Sequence, residues 1–127
     1  TLSLHDALPI SMSLGETYNR AIAGLVCPSY SPTWPYDLVM EEILLFIEKQ
    51  PKVYLEHAND PTLQMKGVAI SALATGDLAY HNYRFLNRNK DVILEVSKNQ
   101  NELDEIVRYF QTGQGRAFYE FLLNSLK

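Results

Sequence analysis

Asp37-Leu-Val-Met-Glu-Glu-Ile-Leu-Leu-Phe-Ile-Glu-Lys-Gln50 is the stretch around which the chain has to be arranged. Met40, Ile43, Leu44 and Ile47 recur at the i, i+3, i+4, i+7 spacing that lines one face of an α-helix. Leu38, Val39 and Phe46 widen that face beyond the narrow stripe of a surface helix. Asp37, Glu41, Glu42, Glu48 and Lys49 are left for water. A helix of this kind needs partners on more than one side, so it is placed at the centre of the fold.

Working outward, Pro28, Pro32 and Pro35 exclude regular helix from residues 27–35, which also hold the only tryptophan, Trp34, between Tyr30 and Tyr36. Trp34 reads either as a plug at the end of the core or as an aromatic contact on a stiff loop. Before it, Ser13-Leu-Gly-Glu16 has the form of a capping box and predicts a helix to about Val26. After the central helix, Pro51 is a stop. Val53–His57 reads as a short strand or as the start of another helix. Asp60-Pro61 predicts a capped restart and a helix over 62–75, closed by Gly76. The small residues of that helix predict close packing against a neighbouring backbone, most simply the central helix.

Leu78–Leu86 reads as a further helix, with Leu78, Phe85 and Leu86 inward and Asp77 as its cap. Asn99 or Asn101 caps a helix over 102–112, in which Leu103, Ile106, Val107 and Phe110 form the buried stripe and Asp104 pairs with Arg108. Gly113 and Gly115 separate it from a last helix, 116–126, with Phe118, Phe121 and Leu122 inward. The expected fold is therefore all-α, a compact bundle of five or six short helices ending in a helical hairpin. The alternative is α+β, with 53–57 pairing with 92–96 as two strands.

Thr1–Ser11 stands apart. It lacks a methionine, is followed at once by Met12, and its Ser-Leu-His-Asp-Ala-Leu-Pro-Ile run resembles a translated sequencing adapter. Residues 1–11 are accordingly expected to be a non-native leader and 12–127 a single helical domain. With 127 residues, 46% apolar and 20% charged, the chain has the composition of a globular protein. Its net charge of −4 argues against a global basic field for nucleic acid, and no apolar run is long enough to cross a bilayer. One cysteine, Cys27, forbids an internal disulfide. Cytoplasm is the default compartment.

Chemistry-bearing constellations are thin. His57 and His81 fall in no H-x-x-x-H or E-x-x-H pair, so no metal or cofactor is expected. Cys27 precedes Pro28 at the predicted end of a helix, where the dipole disfavours a thiolate. The richest surface candidate is Tyr80-His-Asn-Tyr-Arg-Phe-Leu-Asn-Arg-Asn-Lys90. If helical, it aligns Tyr80, Arg84 and Arg88 on one ridge, with Tyr83 and Lys90 nearby. Aromatics and arginines of this kind make hot spots in protein interfaces. The leading expectation is a small protein-binding module (an adaptor, an inhibitor or immunity-type protein, or a subunit of an assembly). It acts stoichiometrically through Tyr80, Tyr83, Arg84, Arg88, Lys90 and Trp34, and is compatible with a homo-oligomer. Two alternatives stand beside it: a nucleic-acid accessory protein using the basic residues of 80–90 and Arg116, and a small enzyme in which Cys27, His57 and His81 converge.

Overall fold

A computed structural model describes residues 2–126. Among them are seven helices, α1 (Leu2–Leu14), α2 (Glu16–Val26), α3 (Tyr36–Lys49), α4 (Pro51–Ala58), α5 (Leu63–Thr75), α6 (Glu102–Phe110) and α7 (Gly113–Ser125). There are also three strands, β1 (Leu78–His81), β2 (Arg84–Asn87) and β3 (Val92–Glu95). The protein is mostly helical with a small antiparallel sheet. The chain divides into two compact units, residues 1–67 and 68–127, with the boundary inside α5.

In the first unit α3 is central, as its sequence predicts. Val39, Ile43 and Ile47 are fully buried and share a core with Ala7 of α1, Ala21, Ile22 and Ala23 of α2, Tyr54 of α4 and Leu63 of α5. The apolar face is narrower than its composition implies. Leu44 is 36% exposed and Leu45 47%. Residues 53–57 are helix and not strand: Pro51 stops α3 and opens α4 at its first position, where no amide is needed.

A buried polar hub ties this unit together. Asn19 of α2, fully buried, donates from Nδ2 to the Ser11 carbonyl (2.8 Å) and the Tyr36 hydroxyl (3.1 Å). Its Oδ1 accepts from the Tyr54 hydroxyl (2.8 Å). Four helices meet at one amide. The capping box expected at Ser13 does not form: Ser13 is the penultimate residue of α1 and donates to the Ile10 carbonyl, while Gly15, at φ 95°, precedes α2. Glu16 pairs instead with Arg20. The small residues of α5 do serve close approach, but toward α2: a Cβ on Gly67 would lie 2.7 Å from that of Ala21.

The α5 start follows the sequence signal. The Asp60 carboxylate accepts from the Thr62 amide (2.8 Å), the Thr62 hydroxyl (2.7 Å) and Lys66 Nζ (2.6 Å). Burial alone would raise its pKa, but these bonds outweigh it and hold the group at about 2, against 3.8 unperturbed. On α4, burial and then the Lys66 charge lower the His57 pKa below 6.5, against opposing pulls from Asp60 and Glu56. Both groups bind protons more readily in the unfolded chain, so stability rises with pH. It is expected to be complete above about pH 6.5, to fall first as His57 charges, and to fall again between about pH 4 and 2, the second step being worth about 1–2 kcal/mol after screening. Urea unfolding followed by Trp34 fluorescence at graded pH checks this, and Asp60→Asn should remove the lower step and, by taking away a charge that holds the His57 pKa up, deepen the upper one.

The second unit corrects the all-α expectation. Leu78–Leu86 is not a helix but most of a β-hairpin: β1 and β2 pair with Leu78 opposite Asn87, Tyr80 opposite Phe85 and His81 opposite Arg84. Asn82 and Tyr83 link them with φ of 51° and 62°, the double positive value that a type I′ turn requires. The β-alternative anticipated the strand at 92–95 but not its partner. β3 pairs with β2, Arg84 opposite Glu95 and Phe85 opposite Leu94, through a bulge opposite Phe85 and Leu86. The connection 88–91 holds a tight turn closed by Lys90 N–H to the Asn87 carbonyl, with Lys90 at φ 68°. Asp77, read as a helix cap, binds Arg88 instead.

α6 and α7 form the expected hairpin. Asn101 caps α6 by accepting from the Asp104 amide, and Ile106, Val107 and Phe110 are buried. Arg108 pairs with Glu105 and not Asp104, one turn being reached as well at three residues as at four. Thr112 caps α7, and Tyr119 stands 5.1 Å from the Phe110 ring. Phe118 is half-buried, whereas Phe121, expected inside, is 59% exposed.

Candidate interaction surface

The hairpin sorts its side chains by a period of two, not four. Leu78, Tyr80, Phe85 and Leu94 lie on one face by register, and Leu78 and Phe85 are buried there. Ala79, His81, Arg84, Leu86, Val92 and Glu95 lie on the other. The ridge expected of a helix is therefore split. Tyr80 covers Phe85, with ring centroids 4.7 Å apart, while Arg84 points to the opposite side.

The cations of 80–90 are largely matched by acids. Arg84 Nε is 3.4 Å from Glu95 on the neighbouring strand, and Arg88 Nε donates to Asp77 (2.8 Å). The guanidinia on which a phosphate-gripping surface would rest are thus already turned to carboxylates. Lys90 is exposed at the second turn. Trp34 belongs to the first unit, where it is half-buried against the core and stands edge-on to Tyr30 at 5.5 Å.

Tyr83 is different. It is 46% exposed at the tip of the first turn, with Lys98 Nζ 5.8 Å from its ring centroid. Its carbonyl accepts from the Val96 amide (2.8 Å), which anchors the tip to the strand beyond. A bulky residue in the left-handed region carries strain of about 1–2 kcal/mol, and glycine is the residue that turn chemistry favours at this position. Lys98 is the cation over its ring, while His81 and Arg84 flank the turn in sequence and Arg84 is turned to Glu95.

No protein-family model matches this chain, no curated protein is similar to it, and no solved structure matches it.

A second feature lies in the first unit. An open groove of about 220 Å³ lies between Val26, Cys27, Pro28 and Ser29 on one side and Glu42, Leu45, Phe46 and Lys49 of α3 on the other. Burial, and then the Glu42 charge, push the Cys27 thiol pKa up, so the sulfur is held as the weakly nucleophilic thiol. The groove lining contains no histidine. Among the described residues no cluster of three or more His, Cys, Asp or Glu side chains could hold a metal ion, and no helix is long and apolar enough to cross a membrane.

Sequence reasoning singled out the 80–90 segment as a surface candidate but read it as a helix, where it is a hairpin. The missed signal was Asn82-Tyr83 between two short runs of alternating exposure, followed by the β-branched Val92 and Ile93. Lys98, which completes the tip, carried no signal of its own, because it approaches Tyr83 only through the fold.

Proposed function

We propose that this chain is a protein-binding module that works by stoichiometric capture, with the β1–β2 tip as its contact surface. Tyr83 is the anchor, flanked by His81, Arg84 and Lys98. Tyr80 shapes the platform from the inner face, while Arg88, held by Asp77, and Lys90 fix or border the second turn. The observation that carries this reading is the exposed tyrosine at positive φ. Folding alone favours glycine there, so an aromatic with half its surface in water is better accounted for by what it touches outside the chain. Such a tip needs no chemical step: a rigid aromatic side chain enters a pocket on the partner, and the Lys98 ammonium beside it and the Arg84–Glu95 pair set orientation.

The test uses stability and binding together. Tyr83→Gly is expected to leave unfolding stability unchanged or raise it by up to about 1 kcal/mol, because strain is relieved. Affinity capture from the source cells with the full chain should recover a partner protein that Tyr83→Gly no longer retains. A partner set unchanged by Tyr83→Gly, or recovery of nuclease-sensitive nucleic acid alone, overturns the reading.

A further inference from the structure

We propose that the outward face of α3 is a self-association surface, on which a second copy of the chain docks antiparallel and pairs Glu42 of each copy with Lys49 of the other. This stands independently of the hairpin. Leu38, Glu42, Leu45 and Lys49 follow one another at steps of four, three and four residues, which keeps them on a single stripe of the helix. The stripe runs along the flank of the buried row of Val39, Ile43 and Ile47, with Leu38 and Glu42 half-buried and Leu45 and Lys49 exposed. Leu45 is 47% exposed at its centre, and Leu45 and the half-buried Phe46 together line the adjoining groove. An exposed leucine at the edge of an open, partly apolar groove gives this flank of α3 a contact face.

The charges identify the occupant. Glu42 and Lys49 stand two helical turns apart, about 10 Å along the axis, on either side of Leu45 and Phe46. Six ion pairs form among the described residues, and neither Glu42 nor Lys49 takes part in any of them. A two-fold axis passing between positions 45 and 46 reverses the helix and brings Glu42 opposite the second copy's Lys49, Lys49 opposite its Glu42, and Leu45 against its Phe46. A parallel arrangement would set Glu42 against Glu42 and Lys49 against Lys49. The sequence of the face is thus complementary to itself in one orientation only, as an isologous dimer requires. The groove beside Val26, Cys27 and Pro28 gives the incoming Leu45 and Phe46 somewhere to sit.

Sedimentation equilibrium on the full chain, over a concentration range of about 10 to 500 µM, is the direct test. Wild type should show a reversible monomer–dimer equilibrium, and alkylation of Cys27 should slow as the dimer fills. Glu42→Lys and Lys49→Glu should each weaken the dimer by about tenfold or more, since each variant opposes like charges twice. An equimolar mixture of the two variants should restore it, because both cross-pairs are then of opposite sign. The Glu42→Lys/Lys49→Glu double variant should dimerise alone for the same reason. Unchanged far-UV circular dichroism separates lost docking from lost folding. A wild-type chain that stays monomeric, with Cys27 alkylated at one rate throughout, overturns the proposal and leaves the face to a different protein or a small apolar ligand. So does a mixture of variants that fails to recover the dimer.

Discussion

Gly115→Ala is expected to destabilise the second unit by about 3 kcal/mol or more, which for a domain of this size threatens folding outright. A Cβ at Gly115 would lie 1.7 Å from the Tyr109 carbonyl oxygen and 2.5 Å from its carbon, with the Thr112 hydroxyl at 2.9 Å. The first two are backbone atoms at the end of α6 and cannot swing aside. The third is the cap of α7, since the Thr112 hydroxyl accepts from the Gly115 amide, so relieving the clash also breaks the cap. Alanine's better helix propensity returns only about 1 kcal/mol, and packing strain prevails. Gly113→Ala is the control: nothing lies within 4 Å of a Cβ there. It should be neutral or stabilising by up to about 1 kcal/mol. Amide hydrogen exchange across α6 and α7 reads both variants, and equal protection in the two would refute the steric account.

Asn19→Ala should cost the first unit about 3–5 kcal/mol, summed over three abandoned groups at about 1–3 kcal/mol each and moderated by relaxation. The groups are the Ser11 carbonyl, the Tyr36 hydroxyl and the Tyr54 hydroxyl. Tyr54 is the most constrained of them. Its ring is fully buried, and burial followed by the nearby Tyr36 raises its pKa well above the usual phenol value, so it serves only as a neutral donor. Tyr54→Phe removes one bond and keeps the ring, and should cost about 1–2 kcal/mol. In the double variant the losses should fall short of the sum, because the same bond is removed twice. Denaturant unfolding followed by Trp34 fluorescence reports the unit in which all of these residues lie. Strict additivity would show that the hub is not a connected network.

Asn19 also shows where a sequence becomes silent. It is a polar residue on an amphipathic helix, and nothing in its neighbourhood distinguishes it from a solvated one. Its partners lie 8, 17 and 35 positions away. One of them, Ser11, falls within the segment whose sequence resembles an adapter, where Ala7 and Ser11 are both fully buried. Phe121 shows the converse. Its place on α7 reads as inward, yet it is more than half exposed, with the half-buried Phe118 ring stacked against it at 6.4 Å.

The signals that could be read along the chain were those completed within about one helical turn. Asp60 and Asn101 cap α5 and α6 through amides two and three residues ahead. Gly76 takes the positive φ that ends α5, Pro51 separates α3 from α4, and Ile106, Val107 and Phe110 bury one stripe. Each of these rests on local backbone geometry and side-chain spacing, which the order of residues determines by itself. The tertiary structure decided the rest. Whether 78–86 coiled or paired was decided by strand pairing, with β3 joining β2 across separations of six to eleven residues, and the pairing put Tyr80 and Arg84, which a helix would align on one ridge, on opposite faces. Whether Leu45 was core or surface depended on which sides of α3 were covered. A helix satisfies its own backbone, but a strand borrows its hydrogen bonds from a partner and an apolar face borrows its burial from a neighbour, so neither is written where the residue itself is written.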